Sequence, residues 1–139
     1  MLNIAKLQNG ELLNGSPIAN PFQYKVLSNG MRVLSFAFLY MSHDNYNGAV
    51  VLNQTEVIRS QTVQNVLYKY ALQTDVVVLN LHIGARSQEA NETYFEMRKQ
   101  FEKFNYNVPI IILTAHTHRV HNYPCIGEDR NIDPNCYNT

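Results

Sequence analysis

Three histidines stand where apolar runs end. His82 closes the run Val76-Val77-Val78-Leu79-Asn80-Leu81, and His116 and His118 follow Val108–Leu113 after Thr114 and Ala115. Residues two apart in an extended or tight-turn backbone project to similar sides, so the imidazoles of His116 and His118 can converge on one point. Neutral imidazole is the commonest protein ligand for zinc and also suits other first-row ions. The chemistry open to this trio is therefore the binding of a divalent cation. The competing reading is three polar residues capping a sheet, hydrogen-bonded to backbone or water. His121 reads as a solvated neighbour. His43 beside Asp44 has the residue types of an acid–base pair, but nothing in the sequence fixes its geometry, and it reads as a loop dipeptide.

Other chemical constellations are missing. No Gly-x-Gly-x-x-Gly or Gly-x-x-x-x-Gly-Lys-Ser/Thr loop is present to cradle phosphates, and there is no Gly-x-Ser-x-Gly elbow. Cys125 and Cys136 are not placed for nucleophilic work or as a Cys-x-x-Cys pair; one bridge between them and two incidental thiols are both open readings. Eleven Lys and Arg balance eleven Asp and Glu, so polyanion steering has no source and nucleic acid is excluded as an expected partner. No run reaches the ~20 apolar residues of a membrane-spanning helix. The opening Met1–Lys6 lacks the basic head and long apolar body of a secretory signal, and location stays open. Seventeen Asn outnumber the Lys and Arg together. Asn14, Asn53 and Asn91 begin Asn-x-Ser/Thr triplets, which are either surface-loop glycosylation acceptors in a secreted protein or chance in an Asn-rich chain.

The elements that would position the histidines follow from apolar periodicity. Leu2–Leu7 predicts a strand, and Asn9-Gly10 and Asn14-Gly15 are turn signals. Ser16–Phe22, with Pro17 and Pro21, predicts an extended surface connection. Tyr24–Leu27 and Met31–Tyr40 around Ser28-Asn29-Gly30 predict a hairpin. Arg32–Leu39 is nearly continuous apolar, as in a strand covered on both faces. Met41–Asn53 predicts a polar loop. Val63, Val66, Leu67 and Tyr70 share one face of a helix beginning near Ser60, and Val76–Leu81 is β-branched enough for a buried parallel strand. A second helix spans about Gln88–Phe104, with Tyr94, Met97, Phe101 and Phe104 inward and Glu92, Glu96, Lys99 and Lys103 largely outward. Val108–Leu113 predicts the last strand, and the strand–helix–strand order implies a right-handed parallel crossover. In open α/β sheets functional groups collect beyond the carboxyl ends of strands, which is where these histidines fall. Residues 124–139 show no periodicity and are expected to form an irregular tail.

Strand–His82, then helix, then Pro109-Ile110-Ile111-Ile112-Leu113-Thr114-Ala115-His116-Thr117-His118 resembles the last two metal motifs of the calcineurin-like metallophosphoesterases. The resemblance is to the branch containing 5′-nucleotidases, where an apolar strand leads into Gly-His-Thr/Ser-His. Asn29-Gly30-Met31-Arg32-Val33-Leu34-Ser35-Phe36-Ala37-Phe38-Leu39 is similar to an upstream strand of fungal and protist members. Pro21–Val26 is similar to the segment before it. The resemblance covers about Leu2 to Tyr123.

It implies an α/β fold, part of a metallophosphoesterase-like sandwich with strands alternating with helices, and residues 1–123 as the C-terminal portion of such a domain. It also implies two divalent ions (Zn, Mn or Fe), with His82 and His116 on one and His118 on the other, and a phosphate ester or nucleotide as substrate. The sequence departs from the family at Ala115, where the signature has glycine. It also lacks the Asp-x-His, Gly-Asp-x-x-Asp and Gly-Asn-His-Asp/Glu motifs that supply the bridging carboxylate and remaining ligands. No catalytic residue is assigned. The expectation is a fragment, inactive by itself, holding at most one ion and presenting an uncovered sheet face through which it can associate. The alternatives are a truncated or degenerate non-catalytic relative, and a small α/β binding module with incidental histidines.

Overall fold

Gly30 makes the turn of a hairpin in the first third of the chain. Its φ of +87° lies in the left-handed region where a Cβ is strained. Met31 N donates to Asn29 Oδ1 at 3.0 Å and Leu27 N to Met31 O at 2.8 Å, closing the turn. The hairpin joins β3 (Gln23–Val26) to β4 (Arg32–Leu39), antiparallel, with Tyr24 opposite Leu34. The computed structural model describes residues 4–8, 11–17, 20–39, 49–84, 87–104 and 107–115, with the backbone alone over 6–8 and 11–17.

The protein is α/β. The run Val76–His82 is β6, parallel to β4, and Ile110–Thr114 is β7, parallel to β6, giving the sheet order β3-β4-β6-β7. A second, antiparallel sheet has the order β2-β1-β5, from β1 (Ile4–Gln8), β2 (Glu11–Pro17) and β5 (Ala49–Val51). Between the strands lie α1 (Gln54–Arg59), α2 (Gln61–Tyr70), a 3₁₀ turn (Ala71–Gln73) and α3 (Gln88–Glu102).

Register decides which side chains meet. Phe36 pairs with Leu79 and Leu79 with Ile112, and two residues upstream Leu34, Val77 and Ile110 form a parallel row. These rows, with Phe38 and Leu81, make the buried face, packed with Ile58, Val63 and Leu67 of the first two helices and Met97 and Phe101 of α3. Each large side chain so covered contributes about 1.5–3 kcal/mol. The opposite face is covered unevenly. On β4, Val33, Ala37 and Leu39 are half-buried, whereas on β7 Ile111 is 39% and Leu113 54% exposed. The uncovered face expected along Val33–Leu39 therefore lies chiefly at β7.

Several expectations need correction. The Asn14-Gly15 pair lies within β2, and Ser16-Pro17 ends that strand, instead of making a turn and a connection. The loop expected over Met41–Asn53 includes β5, and its last residue caps a helix that the sequence reading missed: Asn53 Oδ1 accepts from Thr55 N at 2.9 Å and Glu56 N at 3.3 Å. Of the Asn-x-Ser/Thr asparagines, Asn14 is in β2 and Asn91 within α3, while Asn53 lies in the connection between β5 and α1 as the α1 cap. Glu96, expected outward, is buried at 7% exposure because Arg59 of α1 donates to it at 2.5 Å.

At the amino end of the parallel strands, Asp75 holds the start of β4. Its carboxylate accepts from Arg32 N at 2.8 Å, Nε at 3.0 Å and Nη2 at 2.6 Å, and Asp75 N donates to Arg32 O at 2.8 Å. The Arg32 side chain, followed by the Arg32 amide, lowers the Asp75 pKa from 3.8 to about 2. The unfolded chain therefore takes up this proton first as pH falls, so the contribution is complete above 3.8 and is lost as pH drops through about 2. Denaturation of Asp75→Asn at pH 5 and at pH 2.5 is expected to show a smaller loss of stability over that interval than the wild type. Equal losses would remove Asp75 from the acid response.

Candidate functional site

The carboxyl ends of β4, β6 and β7 lie side by side because all three strands are parallel. Leu39, the last residue of β4, is in register with His82, the last of β6, and Leu81 is in register with Thr114, the last of β7. Ala115 N donates to Leu81 O at 3.0 Å, so the chain leaves β7 directly beside the final residues of β6. His116 is the next residue. The structure thus places the exposed His82 at the sheet end from which the His116-Thr117-His118 segment departs. His116 and His118 lie outside the described residues, as do His43, Asp44, His121, Cys125, Cys136 and the 124–139 tail.

Side-chain orientation follows strand alternation. His82 and Asn80, two residues apart on β6, belong to the open face, opposite the buried Leu79 and Leu81. Asn80 Nδ2 donates to Phe36 O at 3.4 Å, tying the open face of β6 to β4. Ile83, fully buried, anchors the chain immediately after His82. The turn beyond it closes with Ser87 N donating to Gly84 O at 3.1 Å. Ser87 then caps α3, its Oγ accepting from Ala90 N at 3.1 Å.

A positioning residue that sequence reasoning missed is Gln54. Its side chain is buried at the start of α1, and Nε2 donates to Leu39 O at 2.7 Å. That bond gives the last carbonyl of β4 a buried side-chain donor and ties the start of α1 to the end of the strand. The only sequence signal was an amide one residue after a helix-capping Asn, which has no distinctive pattern.

Chemically, the described part of this end offers one exposed imidazole and neutral amides. Among the described residues no three His, Cys, Asp or Glu side chains gather to hold a metal. His82 fits a divalent ion in kind, as an imidazole donor on a fixed strand end. No helix among the described residues is long and apolar enough to cross a membrane.

No protein-family model and no curated protein matches the sequence. Among solved structures, the chain is similar to the crystal structure of a 5′-nucleotidase from Candida albicans, with a TM-score of 0.65 over 84% of this chain and 22% sequence identity. The chain covers 21% of that protein's length. At this identity the likeness is one of fold: the α/β arrangement described above recurs within a much longer protein.

Proposed function

We propose that this chain is the C-terminal portion of a metallophosphoesterase-type domain related to 5′-nucleotidases. In this reading His82, His116 and His118 are its contribution to a divalent-metal site acting on a phosphate ester or nucleotide. The observation that carries the proposal is the register at the sheet end: His82 terminates β6 beside the point where Ala115 leads out of β7 toward His116. The fold likeness to a 5′-nucleotidase supports it.

A divalent ion at such a site supplies Lewis acidity toward a phosphoryl oxygen. The residues of this chain have the task of holding it. Parallel β6 and β7 fix the spacing of the strand ends, buried Ile83 fixes the exit after His82, and Gln54 fixes the end of the neighbouring β4. Two-ion chemistry needs carboxylates to hold cations ~3.5–4 Å apart against their repulsion. The sequence has none of the Asp- and Asn-containing motifs that supply them in the family it resembles. The chain alone is therefore a one-ion binder without turnover, and hydrolysis belongs to a complete domain.

Titration calorimetry with Zn²⁺ or Mn²⁺ on the purified chain tests this. The expected stoichiometry is no more than one ion. Binding should weaken toward acid pH because protons compete for the imidazoles, and should be lost in His82→Ala and in His116→Ala. Hydrolysis of AMP or a chromogenic phosphodiester should match the metal-only blank. Binding indifferent to both substitutions would sink the metal assignment. Turnover that disappears in His116→Ala would show a fuller site and overturn the one-ion reading.

A further inference from the structure

The two edges of the four-stranded sheet differ in how they are protected. At one edge, β3 carries exposed Gln23 and Lys25, and a charged side chain on an edge strand disfavours pairing with another chain. At the other edge, β7 pairs with β6 alone among the described residues. Its sequence, Ile110-Ile111-Ile112-Leu113-Thr114, contains no charge, no glycine and no proline. Ile111 is 39% and Leu113 54% exposed on its open face. We propose that two copies of this chain associate through β7, pairing antiparallel about a twofold axis at Ile112.

The register follows from the backbone. Val77 N donates to Pro109 O at 2.9 Å and Ala115 N to Leu81 O at 3.0 Å, so residues 109, 111, 113 and 115 turn their peptide groups toward β6. Strand alternation then turns the N–H and C=O groups of Ile110, Ile112 and Thr114 toward the edge away from β6. An antiparallel partner must oppose outward groups with outward groups. Centring on Ile112 does this along the whole strand: Ile112 faces its own copy and Ile110 faces Thr114. Ile111 of one copy then lies opposite Leu113 of the other, in the position where cross-strand side chains come closest. The two exposed apolar side chains are thereby each other's cover. A closed twofold interface requires this self-complementarity. The uncharged strand puts no like charges across the axis.

One short strand pair is small beside the ~1,600 Å² of a standard interface, so the dimer is reversible and concentration-dependent. Sedimentation velocity on a dilution series of the full chain is expected to show a monomer–dimer equilibrium. In the dimer the amides of Ile112 and Thr114 should exchange more slowly than in the monomer. Leu113→Lys is expected to weaken association by about tenfold or more. The double variant I111K/L113E sets opposite charges across the axis in this register and should recover association. Leu72→Lys, at an exposed position away from β7, should leave it unchanged.

Far-UV circular dichroism checks that each variant is folded. A wild-type chain that stays monomeric throughout the series would overturn the proposal. So would a dimer indifferent to Leu113→Lys, or a double variant no tighter than that single one.

Discussion

Phe36→Ala is expected to remove about 3–5 kcal/mol of stability, the range for truncating a buried Phe. The expectation comes from the position of Phe36 in the layered core. At 1% exposure, it lies on β4 in register with Leu79, which is itself in register with Ile112. Its ring points to the face that packs with the helices, within the cluster that includes Ile58, Leu67, Met97 and Phe101. Neighbours on paired strands cannot move inward without breaking ladder bonds, so much of the vacated volume stays as a cavity. Domains of this kind hold about 5–15 kcal/mol in total, and the loss is a large share of it. Urea denaturation should show a lower midpoint with an unchanged slope. Leu113→Ala, at 54% exposure, should change stability by no more than about 0.5 kcal/mol in the monomer. A loss at Phe36 below about 1 kcal/mol would mean that the sheet and helices are not packed at that point.

The apolar runs made this core legible in the sequence. Arg32–Leu39, Val76–Leu81 and Val108–Leu113 correspond to β4, β6 and β7, and the three-and-four spacing of Val63, Val66, Leu67 and Tyr70 corresponds to α2. What failed was short or determined at a distance. The six-residue α1 presents less than two turns, too few for a periodicity to register, and the three residues of β5 form a strand only because β1 pairs with them. Asn14-Gly15 is a sound local turn signal that instead falls inside β2, where the register with β1 shifts between the pairs Leu7–Leu12 and Ala5–Pro17. Continuous apolar runs also overstated the cover on the second face, since Ile111 and Leu113 are exposed. Composition shows what a strand can bury, and the rest of the assembly decides what it does bury.

The candidate site was legible to a different depth. The placement of His82 at a strand end, and the strand order that brings it beside Ala115, both followed from where the apolar runs stop. The metal role of His82, His116 and His118 comes from resemblance and remains a proposal. Gln54 could not be anticipated, because its function is a single bond to Leu39 O across a gap of fifteen residues. Glu96 was misplaced for the same physical reason: helix periodicity assigns a charge to the solvent face unless a partner is known, and its partner Arg59 sits on another helix.

That buried carboxylate supports the second large effect, in Gln100→Leu. Gln100 is 2% exposed, and its Nε2 donates to Glu96 Oε1 at 2.5 Å while its Oε1 accepts from Gln64 Nε2 at 3.0 Å and from Lys103 Nζ. Arg59, followed in order by opposing burial and then by Gln100, sets the balance that holds the Glu96 carboxyl below its ordinary 4.5. Leucine fills similar space but leaves a buried carboxylate oxygen without its donor, a loss of about 2–3 kcal/mol at neutral pH. Replacing both groups, in E96L/Q100L, removes the orphan. Arg59, whose side chain is 59% exposed, returns to water, and Gln64 keeps its bond to Ile58 O at 3.2 Å. The double variant is therefore expected within about 1 kcal/mol of the wild type, less damaged than the single one. The pH dependence has a definite sign. A lowered folded pKa contributes stability above the unfolded value, and that contribution is lost as pH falls through the folded value. Losing the Gln100 donor raises the Glu96 pKa toward its unfolded value, so the defect of Gln100→Leu should shrink in acid as the carboxyl takes up its proton. Denaturation of the wild type and both variants at pH 7 and pH 4 measures this. A single-variant defect that persists undiminished in acid would trace the loss to packing and not to the unpaired charge.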